Sequence, residues 1–261
     1  MNLRYSSREI AEFYSRHRNT WNELYSSEQA IFARLAEGKE SFGTVLDVGC
    51  AVGGLGRALA ERCKVRRYVG IDINHQAIQA ALLRQSDFPV PCSFICGDIV
   101  DHPAPLPGQQ FDLVCSLSCA DWNLEPLRII QTCWDHVAPG GHLVLSVRLT
   151  NGRGLNDLNQ SYQFIHFGDD PLTGGEERAN YVVFNVFELL GNLASLKPCP
   201  NRLSAYGYWG KPSRTAVTPY ERLVFAVFAL EKVEFPASPT AELILPLDLL
   251  ADRDQALSKP D

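Results

Sequence analysis

Three aspartates stand where carboxylates can do chemistry. Asp47 lies in the apolar run Val45-Leu46-Asp47-Val48, Asp72 near the end of Tyr68-Val69-Gly70-Ile71-Asp72-Ile73, and Asp98 in Gly97-Asp98-Ile99, which closes the run 90–100. Directly after the first acid comes Gly49-Cys50-Ala51-Val52-Gly53-Gly54. A glycine-rich turn brings backbone close to a nucleotide-like ligand, because a Cβ would block either the tight turn or the ligand. An acid beside such a turn suits a cation or an amine and repels a pyrophosphate. An acid at the tip of the next strand can accept two hydrogen bonds from ribose hydroxyls.

The elements that must position these acids follow from periodicity. Residues 45–48 read as a buried strand and 55–62 as a helix, so the glycines join a strand to a helix. A second strand is expected at 68–73 with a helix at 74–84, a third at 90–100, and a fourth at 111–117 with a helix at 123–137. Ala138-Pro139-Gly140-Gly141 is a turn before a fifth strand at 142–149. A sixth strand at 203–209 and a seventh at 223–230 flank a long loop, 210–220, which fits an antiparallel last pair. Ahead of all this, residues 6–17 and 22–37 repeat apolar groups at three and four and read as two helices. The expected fold class is α/β. It is a doubly wound, seven-stranded, Rossmann-like sheet with an antiparallel last strand, an N-terminal helical cap and insertions. Its parts are a cap at 1–40, a main domain at 41–231 with a lid insertion at about 150–180, and a partly mobile tail at 232–261 that includes Asp252, Arg253 and Asp254.

The glycine spacing is not the dehydrogenase pattern G-x-G-x-x-G. From Asp47 to Gly54 the chain resembles the class I S-adenosylmethionine-dependent methyltransferases, whose first motif is (D/E)-x-G-x-G-x-G; Ala51 takes the middle glycine's place. Asp72 fits the second motif. Asp98 and Ile99 stand where an acid of that family meets the adenine amino group and an apolar residue packs on the ring. The resemblance covers roughly 40–231 and implies S-adenosylmethionine as cofactor. The implied cofactor residues are Asp47, Gly49, Cys50, Ala51, Gly53, Asp72, Ile73, Asp98, Ile99 and Ser116. The implied chemistry is SN2 methyl transfer, which asks for alignment and, for a hydroxyl acceptor, removal of a proton.

The acceptor side is read from the loops. Ser118-Cys119-Ala120-Asp121-Trp122 follows the fourth strand and is expected to face the transferred methyl. It lacks the (N/D)-P-P-Y of the DNA and protein-glutamine amino-methyltransferases, which removes that subclass. Asp121 is a candidate base, with capping of the next helix as the alternative. Trp122 is a candidate wall of the acceptor site, with Arg148 and Tyr162. His166, in Phe164-Ile165-His166-Phe167, is a second candidate base or a structural histidine. Tyr14, Arg16 and Trp21 of the cap could reach a ligand. The aromatic-polar cluster Tyr206-Gly207-Tyr208-Trp209-Gly210-Lys211 suits a carbohydrate or a flat aromatic molecule. The expected activity is methylation of a small molecule, leaning to O-methylation of a sugar, glycan or other hydroxyl-bearing metabolite, with no metal. N- or C-methylation, a non-catalytic S-adenosylmethionine-binding protein and a nicotinamide oxidoreductase are the other readings, the last opposed by the glycine spacing.

Composition sets the outer bounds. A net charge of −6 and a pI near 5.5 argue against a nucleic-acid-binding surface. The eight cysteines include no C-x-x-C pair and sit mostly in apolar runs. Reduced thiols and the lack of an apolar leader or membrane-length run point to the cytoplasm. The expected partner is the small-molecule acceptor, with no membrane or nucleic acid; oligomeric state is left open.

Overall fold

The computed structural model describes residues 7–37, 41–101, 105–234 and 238–251. In chain order its strands are β1 (Gly43–Val48), β2 (Val65–Asp72), β3 (Cys92–Cys96), β4 (Phe111–Ser116), β5 (Val137–Thr150), β6 (Tyr162–Phe164), β7 (Arg178–Asn180), β8 (Phe184–Asn185), β9 (Arg202–Gly210), β10 (Ala216–Val217), β11 (Leu223–Glu231) and β12 (Thr240–Ile244). The α-helices are α1 (Arg8–Arg16), α2 (Ser26–Ala36), α3 (Gly54–Ala60), α4 (His75–Leu83), α5 (Pro126–Asp135) and α6 (Val186–Ala194).

The main sheet runs β12-β9-β11-β5-β4-β1-β2-β3, with β8 beside the end of β5. Strands β1 to β5 are mutually parallel, and β11 is antiparallel to both β5 and β9. The order reverses at β1/β4, so the carboxyl ends of those strands open a crevice there. Alternation along the strands assigns the two faces. Leu46, Val114, Leu143 and Leu145 turn to the side covered by α5 and α6. Val45, Leu113 and Val144 turn to the side of α2, α3 and α4. All seven are fully buried, which is why these strands read as near-continuous apolar runs.

Several expectations change: the main sheet has nine strands where seven were expected, and residues 138–141, expected as a turn, belong to β5. The stretch from 232 was expected to be a mobile tail. Over its described part it adds β12 in parallel beside β9, and Leu245 and Leu249 are buried. Asp252, Arg253 and Asp254 lie outside the described residues. The N-terminal cap divides: α2 packs flat on β9 and β11 as a layer helix, whereas α1 roofs the crevice. Ser7 caps α1 by accepting from the Glu9 amide at 3.2 Å. The Ser7 carbonyl accepts from Asn74 at 3.0 Å, and its amide donates to Glu177 at 2.8 Å. The stretch expected as a lid, about 150–180, holds β6 and β7, which form a second, three-stranded sheet with β10.

Candidate active site

Two clefts meet over the carboxyl ends of β1, β2 and β4. The first collects eight of the ten residues that the resemblance implies for the cofactor: Asp47, Gly49, Cys50, Ala51, Asp72, Ile73, Asp98 and Ile99. Asp72 is its anchor. Its Oδ2 accepts from the Ala51 amide and its Oδ1 from the Asn74 amide, both at 2.8 Å. These bonds tie the β1–α3 turn to the β2–α4 turn, and burial still pushes the Asp72 carboxyl above the usual range. Ala51, at the departure from the glycine motif, holds φ +46°. An L side chain is unfavourable there, and the Asp72 bond to its amide holds the turn in that shape.

Asp47 is buried beneath the turn and accepts a hydrogen bond from the Tyr68 hydroxyl. Burial raises its pKa to about 7, more than the Tyr68 hydroxyl lowers it. A carboxyl so placed suits a cation arriving in the cleft. The folded pKa lies above the unfolded one, so ionisation opposes folding. Stability is lost as pH rises through the window from about 4 to about 7 and is flat above it. Asp47→Asn is therefore expected to raise the melting temperature of the ligand-free protein at pH 8. The gain, on the order of a few kcal/mol, should vanish as pH falls toward 4; a pH series of thermal melts checks it.

Two predicted members lie elsewhere. Gly53 has φ +82° at the start of α3, and a Cβ there would stand 2.8 Å from Phe94. It serves packing behind the turn and is absent from the lining. Ser116 is buried at the end of β4 and also outside the lining. The sequence missed Arg18, whose backbone at φ +62° lays its carbonyl against Gly54, where a Cβ would stand at 2.4 Å.

The second cleft lies between the lid, α1 and the end of β11, and shares Tyr14, Arg18, Ser118 and Trp122 with the first. Asp121 and Arg148 line it as a buried ion pair, 2.9 Å between Oδ2 and a guanidinium nitrogen. The guanidinium also donates to the carbonyls of Asp121 (2.6 Å) and Val182 (3.1 Å), and it stacks 3.6 Å from the Tyr181 ring centre. Arg148, expected on the acceptor side, lines this cleft, and its bonds fix Asp121. The other oxygen, Asp121 Oδ1, is buried and has no hydrogen-bond partner. Desolvation outweighs the arginine and holds the Asp121 carboxyl above the usual range. The capping alternative is excluded: Asp121 sits in the 3-10 turn Ala120–Trp122, and Glu125 precedes α5.

Four expectations on the acceptor side and the cap need correction. Tyr162 faces out of the cleft with Phe164, and the residue between them, Gln163, faces in. A strand alternates, so the neighbouring side chain is on the opposite side. His166 lines the cleft, but its Nε2 lies 2.9 Å from the Asp170 carbonyl and its Nδ1 3.5 Å from the Glu9 carboxylate. Both ring nitrogens face oxygens of the protein, a tethering role. Of the cap residues, Tyr14 reaches both clefts, whereas Arg16 is exposed and Trp21 packs on the core. Tyr208, Gly210 and Lys211 of the expected aromatic cluster line the second cleft, while Trp209 turns away and donates to Asp248 at 2.8 Å.

Comparison with known proteins meets this geometry. Residues 46–145 match the family described as a methyltransferase domain. The ubiquinone biosynthesis O-methyltransferase of Vibrio vulnificus is 30% identical over 128 residues, 49% of this chain and 50% of that protein. The chain thus spans about half the length of the curated relatives it matches. A S-adenosylmethionine-dependent methyltransferase of Methanosarcina mazei superposes with a TM-score of 0.56 at 21% identity, over 81% of this chain and 99% of that one. The DhpI–SAH complex superposes with a TM-score of 0.52 at 16% identity, over 87% and 97%. At these identities the two structures establish the fold.

Proposed function

We propose that this chain, whose residues 46–145 are a class I S-adenosylmethionine-dependent methyltransferase domain, methylates a hydroxyl of a small molecule held in the second cleft. The observation that carries the reading is the junction of two unlike clefts at Tyr14, Arg18, Ser118 and Trp122. One side offers three carboxylates around a glycine turn and the other a half-paired buried carboxylate. The cofactor of such a domain is S-adenosylmethionine, which supplies an electrophilic methyl carbon. The first cleft fits it: Asp72 faces the space a ribose would take, the buried Asp47 awaits a cation, and Asp98 with Ile99 offers an acid beside an apolar surface.

Arg148 holds one oxygen of Asp121 and leaves the other free. That is the arrangement of a general base: Asp121 Oδ1 would take the proton of the acceptor hydroxyl as its oxygen gains the methyl group, the S–CH3 bond breaking and S-adenosylhomocysteine leaving as the neutral thioether. Trp122, beside Asp121 at the junction, walls the path between the clefts. We read the acceptor as a sugar or another hydroxyl-bearing metabolite, supported by Tyr14, Phe167 and Tyr208 standing among polar groups in the cleft. The word O-methyltransferase in the relatives' name favours oxygen as the methylated atom. A cytoplasmic location belongs to the same proposal and is supported by eight cysteines, none of them in a disulfide.

Asp121→Asn is expected to lower kcat by roughly 10²–10⁴-fold while S-adenosylhomocysteine binds within about threefold of wild type. The wild-type rate should rise with pH as Asp121 ionises, above the usual carboxylate range, and that limb should disappear in the variant. Transfer of a labelled methyl group to a panel of hydroxyl, amine and carbon acceptors tests the proposal. Labelling of none, with cofactor bound, overturns it.

A further inference from the structure

Gln163 is the middle residue of the lid strand β6, flanked across the sheet by Ala179 on β7 and Ala216 on β10. Two methyl groups cannot hydrogen bond, so the amide has no partner on either side of it in the sheet. The residue is 7% exposed, its side chain lines the second cleft, and its Oε1 is buried without a hydrogen-bond partner. A buried polar oxygen left unpaired costs about 1–3 kcal/mol, and folded chains keep few of them. Asp121 Oδ1, in the same cleft, is the other unpartnered oxygen in its lining. Both are acceptors. The cleft therefore lacks two donated hydrogens, and the cations among its buried groups are already spent: Arg148 on Asp121, and Arg18 on Glu28 at 2.7 Å.

We infer that the acceptor carries two hydrogen-bond donors, the hydroxyl that reacts at Asp121 and a second O–H or N–H that Gln163 Oε1 receives. Gln163 is on this reading a specificity-determining residue: it selects acceptors with a neighbouring donor and takes no part in the proton transfer. The inference rests on the second cleft being the acceptor site. A site built to pair a donor rejects analogues that lack it, because its own oxygen is then stranded.

The test uses the full chain saturated with S-adenosylhomocysteine and two matched probe pairs, titrated by ligand-observed NMR. They are cis-1,2-cyclohexanediol against cyclohexanol, and 2-aminophenol against phenol. At least tenfold tighter binding of the two-donor member in either pair is expected, and the pair that responds tells O–H from N–H. Gln163→Leu should abolish that preference, with S-adenosylhomocysteine affinity unchanged. Gln163→Glu, which keeps an oxygen acceptor in place, should retain it. No preference in either pair, or a preference that survives in Gln163→Leu, overturns the inference. Failure of the wild type to bind S-adenosylhomocysteine is a separate result, and it would remove the function on which the inference rests.

Discussion

Replacing Asp72 with alanine is expected to weaken S-adenosylhomocysteine binding at least hundredfold. One carboxylate sits between two turns, bonded to the Ala51 and Asn74 amides and facing the cleft. Hydrogen bonds to a charged group are worth about 1.5–3 kcal/mol each, and two ribose hydroxyls lost together amount to a factor of roughly a hundred or more. The turn suffers as well. Without the bond to its amide, Ala51 is released from a left-handed backbone that an alanine does not favour. Asp72→Asn, which retains one oxygen acceptor, should fall between the two. Isothermal titration checks the series; an Asp72→Ala affinity within threefold of wild type would refute the role.

Arg148→Met should be the most damaging single change to stability among the residues that line the second cleft. The side chain is 5% exposed, its guanidinium binds one carboxylate and two carbonyls, and it lies on the Tyr181 ring. Removing one partner of a buried ion pair strands the other, which costs about 3–5 kcal/mol. For a chain of this size that corresponds to a fall in melting temperature of about 10 °C. The double change Arg148→Met with Asp121→Leu removes both charges and should recover much of the loss, since apolar replacement of a whole buried pair is often neutral. Urea denaturation of the two variants measures it. A double variant no more stable than the single one would mean that the carbonyl bonds, not the ion pair, carry the energy.

Most of the framework is legible in the sequence, and the reason is burial on both faces. β1, β2, β4 and β5 are apolar runs because helices cover them above and below. The acids stand out by interrupting those runs. What is not legible needed information from elsewhere in the chain. Asp121 and Arg148 are 27 residues apart, and nothing local says that one neutralises the other. Tyr162 and Gln163 are adjacent, so an error of one residue in facing exchanges an outward tyrosine for an inward amide. β12 is short and almost wholly exposed, so its composition carries little sign of a strand. The run Val186-Phe187-Glu188-Leu189-Leu190 reads as readily as a buried strand as it does the start of α6.

The roof helix α1 has nine residues. A segment of that length does not hold a helical shape alone in water; it persists because other parts of the chain grip it. On one side Asn74 holds the Ser7 carbonyl, and Ile10 and Tyr14 lie over the first cleft. On the other, Glu177 holds the Ser7 amide, and the Phe13 ring stacks on Phe167 at 4.3 Å. The two grips share one short segment, so neither chamber can be unroofed while the other stays shut. On the proposed function, entry of one reactant and departure of the other are expected to be coupled through this one short helix.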